Sequence, residues 1–171
     1  PREDGVVAFL ASRGITVPAG TAEDPLDAHT VSALGRLKDQ YFLHHLAHHG
    51  VDPADAACAF VRTLRAHAVK TAVVSSSTHC ADVLVAAGLA SLFDAQVDGR
   101  DLTRLALQGK PAPDALLEAA QRLQVDPARM VVVEDAIAGV QAAKAGGMAA
   151  IGVARHDDGE LLAAAGADLV V

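Results

Sequence analysis

The sequence predicts an α/β fold, a parallel sheet with helices on both faces, preceded by an all-helical segment. Three observations predict it. From about residue 70 onward, short apolar runs alternate with helix-length stretches, the order that βαβ crossovers produce. Before residue 70 the apolar residues recur only at helical spacing. The residues that follow each short apolar run are unusually polar, as expected where an open parallel sheet presents its carboxyl ends to a ligand.

Each element follows from local pattern. Val6, Val7, Phe9 and Leu10 fall on one side of a short helix that Gly14 ends, and Pro18, Gly20 and Pro25 make the stretch to Asp27 a loop. A second helix is expected from His29 to His49, with an inward stripe of Leu34, Leu37, Tyr41, Phe42 and Leu46 and Gly50 as its stop. A third, after Asp52-Pro53, runs through Phe60, Val61 and Leu64 toward Val69. Thr71 to Val74 is too short for a helix and suits a strand buried on both faces. A helix from Thr78 to Ala87, a short strand around Val97, a helix from Pro113 to Leu123 and an apolar central strand from Met130 to Val133 come next. A helix from Ala136 to Ala145, a strand from Ala149 to Val153, a helix over Glu160 to Ala165 and a last strand at Leu169 to Val171 complete the series.

The 171 residues suffice for one domain with a small appendage and bury roughly 70% of the unfolded surface without a disulfide scaffold. Fourteen Lys plus Arg against twenty-one Asp plus Glu leave a net charge of −7 with no basic stripe, which argues against nucleic-acid binding. No apolar run approaches a membrane span. Cys58 and Cys80 have neither disulfide-framework nor zinc spacing and read as buried apolar fillers, so reduced thiols in a cytoplasmic protein are expected. The chain opens on Pro1 with no targeting segment, as the interior of a longer sequence would.

Three strand ends carry the chemistry. Ser75-Ser76-Ser77-Thr78 offers hydroxyls and free backbone N–H groups to an oxyanion or phosphate, or is a plain helix-capping cluster. Gly109-Lys110-Pro111-Ala112-Pro113-Asp114 fixes a lysine in a rigid turn, where its ammonium neutralises a transferring phosphoryl group or is simply solvated. Glu134-Asp135 closes the most apolar strand, and acids placed there demand a counterion. One carboxylate suits Mg²⁺ while its neighbour supports it or pairs with Lys110; the bland alternative is Asp135 as a helix cap beside a solvated Glu134. Asp98-Gly99-Arg100-Asp101 reads as a turn without a catalytic role. His44, His45, His48 and His49 form two i, i+4 pairs at a spacing that chelates zinc, with no third ligand nearby; helix-end histidines also suit the local dipole.

In this order, Val73-Val74-Ser75-Ser76-Ser77, the Lys110 turn, and Val132-Val133-Glu134-Asp135-Ala136 with Gly139 resemble the haloacid dehalogenase superfamily, in particular its beta-phosphoglucomutase-like subgroup. The resemblance implies a Rossmann-like α/β core over residues 57–171 and a partial helical cap domain over residues 1–56. It implies a Mg²⁺-dependent phosphatase or phosphomutase that acts on a small sugar phosphate through an aspartyl-phosphate. By this likeness Ser75 and Lys110 are catalytic, Asp135 and Glu134 hold the metal, and Ser76 and Ser77 contact substrate. Arg2, in Arg2-Glu3-Asp4, is similar to the cap arginine that grips the non-transferring phosphate, and Lys38 to a cap lysine facing the site. The subgroup often reads Arg-Lys-Asn where this chain has Arg36-Leu37-Lys38, and an aromatic, Pro and Gly where it has Ala57-Cys58-Ala59.

The superfamily's nucleophile lies in an Asp-x-Asp motif ending the central first strand, and no Asp-x-Asp occurs here. The nucleophile strand is therefore expected to lie outside this sequence, leaving a sheet with a gap between the strands that end at Ser75 and Asp135. The chain alone is expected to be inactive. A noncatalytic phosphate-binding or interaction module on the same fold is the alternative.

Overall fold

The structure, a computed structural model, describes residues 2–171, the side chain of Arg2 excepted. It divides into two compact units, one ending at Asp52 and one spanning Pro53–Val171.

The first unit holds α1 (Arg2–Ala11), a long loop and α2 (Val31–His49). Thr30 caps α2 by accepting from the Ala33 N–H at 3.2 Å. Asp24 organises the loop, accepting from the Thr30 hydroxyl at 2.7 Å and the Thr21 N–H at 3.1 Å. These hydrogen bonds, that of Thr30 foremost, hold its carboxyl below the usual carboxylate value. The inward stripe is only partly realised: Leu46 is buried, Leu34 and Leu37 are half-buried, and Tyr41 and Phe42 are exposed. A unit of two helices has too little opposing surface to cover a stripe that long.

The second unit opens with α3 (Asp55–Ala66), which runs uninterrupted through Ala57-Cys58-Ala59. It continues with β1 (Ala72–Val74), α4 (Cys80–Ala86), β2 (Ala95–Val97), α5 (Gly99–Arg104) and α6 (Asp114–Leu123). A 3₁₀ turn (Pro127–Arg129) leads into β3 (Val131–Glu134), α7 (Ile137–Ala145), β4 (Ala149–Gly152), α8 (Gly159–Ala164) and β5 (Leu169–Val170). Every strand pairing is parallel, as the alternating pattern predicts. Among the described residues the strands form two sheets, β1–β2 and β3–β4–β5, so the expected break falls between β1 and β3.

Neither β1 nor β3 is buried on both faces, contrary to expectation. All three β1 residues are half-buried, and in β3 only Val132 is buried while Val131 and Val133 are 58% and 51% exposed. β3 alternates, packing Val132 inward while its other face stays open, and among the described residues it pairs with a strand on one edge only, that of β4.

The core is rich in alanine, which lets helices approach the strands closely. One cluster joins Leu116 and Ala120 to Val132, Val140, Met148, Ala150 and Leu162; the other joins Ala115 and Ala119 to Val97. All four residues named first come from α6, and Val74 packs against both clusters. The helix thus splints the two half-sheets. A further tie is Asp168, which accepts from the Ala150 N–H at 2.7 Å and from Lys144 Nζ at 2.9 Å, fixing the entry to β5. No helix is long and apolar enough to cross a membrane among the described residues.

Candidate active site at the strand ends

Lys110 and Glu134 form an ion pair whose side chains are only 18% and 12% exposed. Lys110 comes from the turn before α6, where the Lys110–Pro111 peptide is cis and the Ala112 N–H donates to the Gly109 carbonyl at 3.1 Å. Glu134 ends β3, and its own carbonyl accepts from the Val153 N–H at 2.8 Å, so the strand pairing fixes the backbone that carries the acid. Its side chain turns over the first turn of α7, where only Gly139 leaves room: a β-carbon there would overlap the carboxylate. Burial pushes the Lys110 ammonium below its ordinary value, and the negative charge of Asp135 opposes that shift.

Asp135 is more open. Its Oδ2 lies 3.1 Å from Arg155 Nε, with side chains 44% and 65% exposed. It does not cap α7, whose N-cap is Ala136 without a side-chain bond, so the capping alternative for the two acids is not realised.

The serines occupy the end of β1. Ser75 extends the pairing, its N–H donating to the Val97 carbonyl at 2.9 Å. The Ser75 hydroxyl oxygen accepts from the Ser77 N–H at 3.1 Å, and that of Ser77 accepts from the His79 N–H at 3.1 Å. The capping alternative is thus partly met, although the Ser77 hydroxyl keeps a proton to donate. Ser75 also bonds the buried Cys80 thiol, whose pKa is pushed up chiefly by burial. The loop rests on Gly99, where a β-carbon would press on the Ser76 carbonyl oxygen and the Thr78 nitrogen.

The structure therefore brings Lys110, Glu134 and Asp135 together, while Ser75, Ser76 and Ser77 stand at the end of the other sheet. Lys38 is exposed on α2 in the first unit. The role expected for Arg2 falls on a side chain outside the described residues. Sequence reasoning missed one participant and one helix cap. Arg155 follows β4, and applying the strand-end rule there would have found it. Asp98 is the N-cap of α5, in a capping box with Asp101, rather than part of a bare turn.

Comparison with known proteins accords with this arrangement. The family model of haloacid dehalogenase-like hydrolases matches residues 4–147. A beta-phosphoglucomutase of Mycobacterium bovis is 40% identical over 175 residues, an alignment covering 99% of this chain and 66% of the relative. A trehalose-phosphate phosphatase of Mycobacterium leprae is 36% identical over 70% of this chain and 27% of its own length. The chain thus spans about two thirds of the M. bovis relative. Among solved structures, a beta-phosphoglucomutase from Clostridium difficile superposes with a TM-score of 0.75 at 21% identity, over 99% of this chain and 70% of that one. A haloacid dehalogenase family hydrolase from Deinococcus radiodurans, holding phosphate and sodium, gives 0.71 at 30% identity, over 98% and 69%. With its parallel half-sheets and its acids and lysine at the strand ends, this chain belongs to the haloacid dehalogenase-like hydrolases, and within them is most like the beta-phosphoglucomutase group.

Proposed function

We propose that this chain carries the phosphoryl-stabilising part of a Mg²⁺-dependent phosphatase or phosphomutase that acts on a small sugar phosphate through an aspartyl-phosphate. The observation that carries the reading is the Lys110–Glu134 pair beside the more open Asp135 at one strand end. The names of the relatives, beta-phosphoglucomutase and trehalose-phosphate phosphatase, support the sugar phosphate.

In this mechanism Glu134 orients Lys110, whose ammonium neutralises the equatorial oxygens of the phosphoryl group. The Ser75 hydroxyl donates a hydrogen bond to the same group, and Ser76 and Ser77 line its approach. Lys38 and Arg2, in the helical cap, address the remainder of the substrate, Arg2 through its planar fork. The donor set fits Mg²⁺: Asp135 offers a hard, accessible oxygen paired with an exposed arginine, and that ion takes one or two carboxylates and keeps several waters. Among the described residues no group of three or more ligand-type side chains gathers, so water, substrate and the nucleophile strand would complete the shell. Once bound, the ion supplies positive charge to the transferring phosphoryl oxygens. The nucleophile belongs to an Asp-x-Asp strand that this sequence does not include.

The test supplies that strand in cis and assays a panel of sugar phosphates and one generic aryl phosphate. Magnesium-dependent turnover is expected, with Lys110→Ala lowering kcat roughly 100-fold or more. Unchanged turnover in Lys110→Ala overturns the role of the lysine, and a complemented protein that hydrolyses nothing is a noncatalytic module.

A further inference from the structure

The four histidines of α2 are not absorbed by this function. His44, His45, His48 and His49 are all exposed on the last two turns of the helix. Those turns are well anchored: Leu46 is buried on their inner side, and the Gly50 N–H donates to the Leu46 carbonyl at 3.0 Å in the C-terminal cap. The rings of His44 and His48 stack with centroids 4.0 Å apart and planes 21° apart, whereas His45 and His49 are wider and more tilted, at 4.6 Å and 34°.

A specific hydrogen bond distinguishes the first pair. His48 Nδ1 lies 2.7 Å from the His44 carbonyl oxygen. A carbonyl oxygen only accepts, so Nδ1 carries the proton and the lone pair resides on Nε2. Metal-binding histidines are commonly fixed in this way, one nitrogen donating to a carbonyl while the other faces the ion.

We infer that His44 and His48 form a two-histidine chelate for a divalent late first-row transition metal ion such as Zn²⁺, Ni²⁺ or Cu²⁺, distinct from the magnesium chemistry at the strand ends. A tetrahedral ion with Zn–N bonds of about 2.0–2.1 Å needs its two nitrogens about 3.3 Å apart. Stacked rings direct their lone pairs nearly parallel, so the exposed His44 ring turns out of the stack about its Cα–Cβ and Cβ–Cγ bonds for both Nε2 atoms to meet one ion. Imidazole nitrogen suits these ions and not Mg²⁺. Among the described residues no third His, Cys, Asp or Glu completes the site, so the remaining positions are left to water or to a ligand from another molecule.

The experiment is calorimetric titration of the whole chain with ZnCl₂ in a buffer containing excess Mg²⁺, with far-UV circular dichroism to confirm that each variant keeps its helices. Because two linked ligands act at high effective concentration, His44→Ala/His48→Ala is expected to bind zinc roughly tenfold or more weakly than the parent chain. His45→Ala/His49→Ala is expected to keep most of the affinity. His44→Gln/His48→Gln, which retains size and polarity on an exposed face, must reproduce the loss. Zinc binding unchanged in the His44/His48 variants, lost only in the His45/His49 variant, undetectable in the parent or abolished by Mg²⁺ overturns the inference.

Discussion

Glu134 lays its carboxylate over the α-carbon of Gly139, in the space a side chain at that position would occupy. The glycine, the acid and Lys110 therefore form a single device. Gly139 vacates the surface of α7, Glu134 fills it, and the ammonium is held against an acid that cannot swing inward.

Gly139→Ala follows from this geometry. The methyl group collides with the far end of a flexible side chain, so Glu134 rotates away and Lys110 loses its partner while the backbone stays in place. Urea denaturation is expected to show a loss of about 1–3 kcal/mol, since the pair is largely but not wholly buried. In a Glu134→Ala background the same substitution should be neutral or stabilising by up to ~1 kcal/mol, because alanine is then simply the better helix former. Equal destabilisation in both backgrounds would show that the overlap lies elsewhere.

Asp101 ties α5 to α6. Its carboxylate accepts from Arg122 at 2.9 Å, from Arg104 at 2.6 Å and from the Asp98 N–H at 3.3 Å. These contacts, the Arg122 hydrogen bond first, hold its pKa well below the ordinary value of 3.8. A carboxyl depressed in the folded state contributes stability that is complete above its unfolded value and is lost as pH falls through the folded one. Asp101→Asn is expected to cost about 1 kcal/mol near neutrality and less with each step below about pH 4. Denaturation series at several pH values measure the difference, and parallel acid limbs for parent and variant would rule it out.

Asp135 is the accessible carboxylate at the strand ends. In the complemented enzyme, Asp135→Asn is expected to raise the Mg²⁺ concentration for half-maximal rate roughly tenfold or more, as one anionic ligand becomes neutral. Arg155→Ala, which frees the same carboxylate, is expected to lower it. A magnesium titration of the rate on each variant distinguishes the two, and the same concentration dependence in all three proteins would place the metal on other residues.

The open face of β3 exposes Val131 and Val133 on a strand that, among the described residues, has one unpaired edge. Such a strand invites pairing with another chain. Sedimentation velocity is expected to show concentration-dependent self-association that Val131→Lys/Val133→Lys suppresses; a parent chain monomeric at every concentration contradicts this.

The strand ends were legible because their chemistry conflicts with their surroundings. Two acids closing the run from Met130 to Val133 and a lysine braced by prolines are poor choices for a bland sheet, and the structure joins Lys110 to Glu134. The burial of β1 and β3 was not legible. An apolar run reads the same whether one face or both are covered, and only the partners present decide which. Tyr41 and Phe42 failed for the same reason: helical spacing identifies a stripe without saying how far along it the packing extends. For α5 a usable signal existed in Asp98 and Asp101, three apart as a capping box requires, but the glycine between them favoured a turn.

The splinting role of α6 bears on how the second unit folds. Each parallel pairing closes its own loop, from Ala72 to Ala95, from Val131 to Ala149 and from Ile151 to Leu169, so either half-sheet can assemble while the other is still unformed. Whether they melt as one body rests on a single ten-residue helix that faces one half with Leu116 and Ala120 and the other with Ala115 and Ala119. The all-or-none character of this unit is therefore concentrated at α6 and Val74, and their packing governs whether Ser75 and Lys110 are ordered at the same moment.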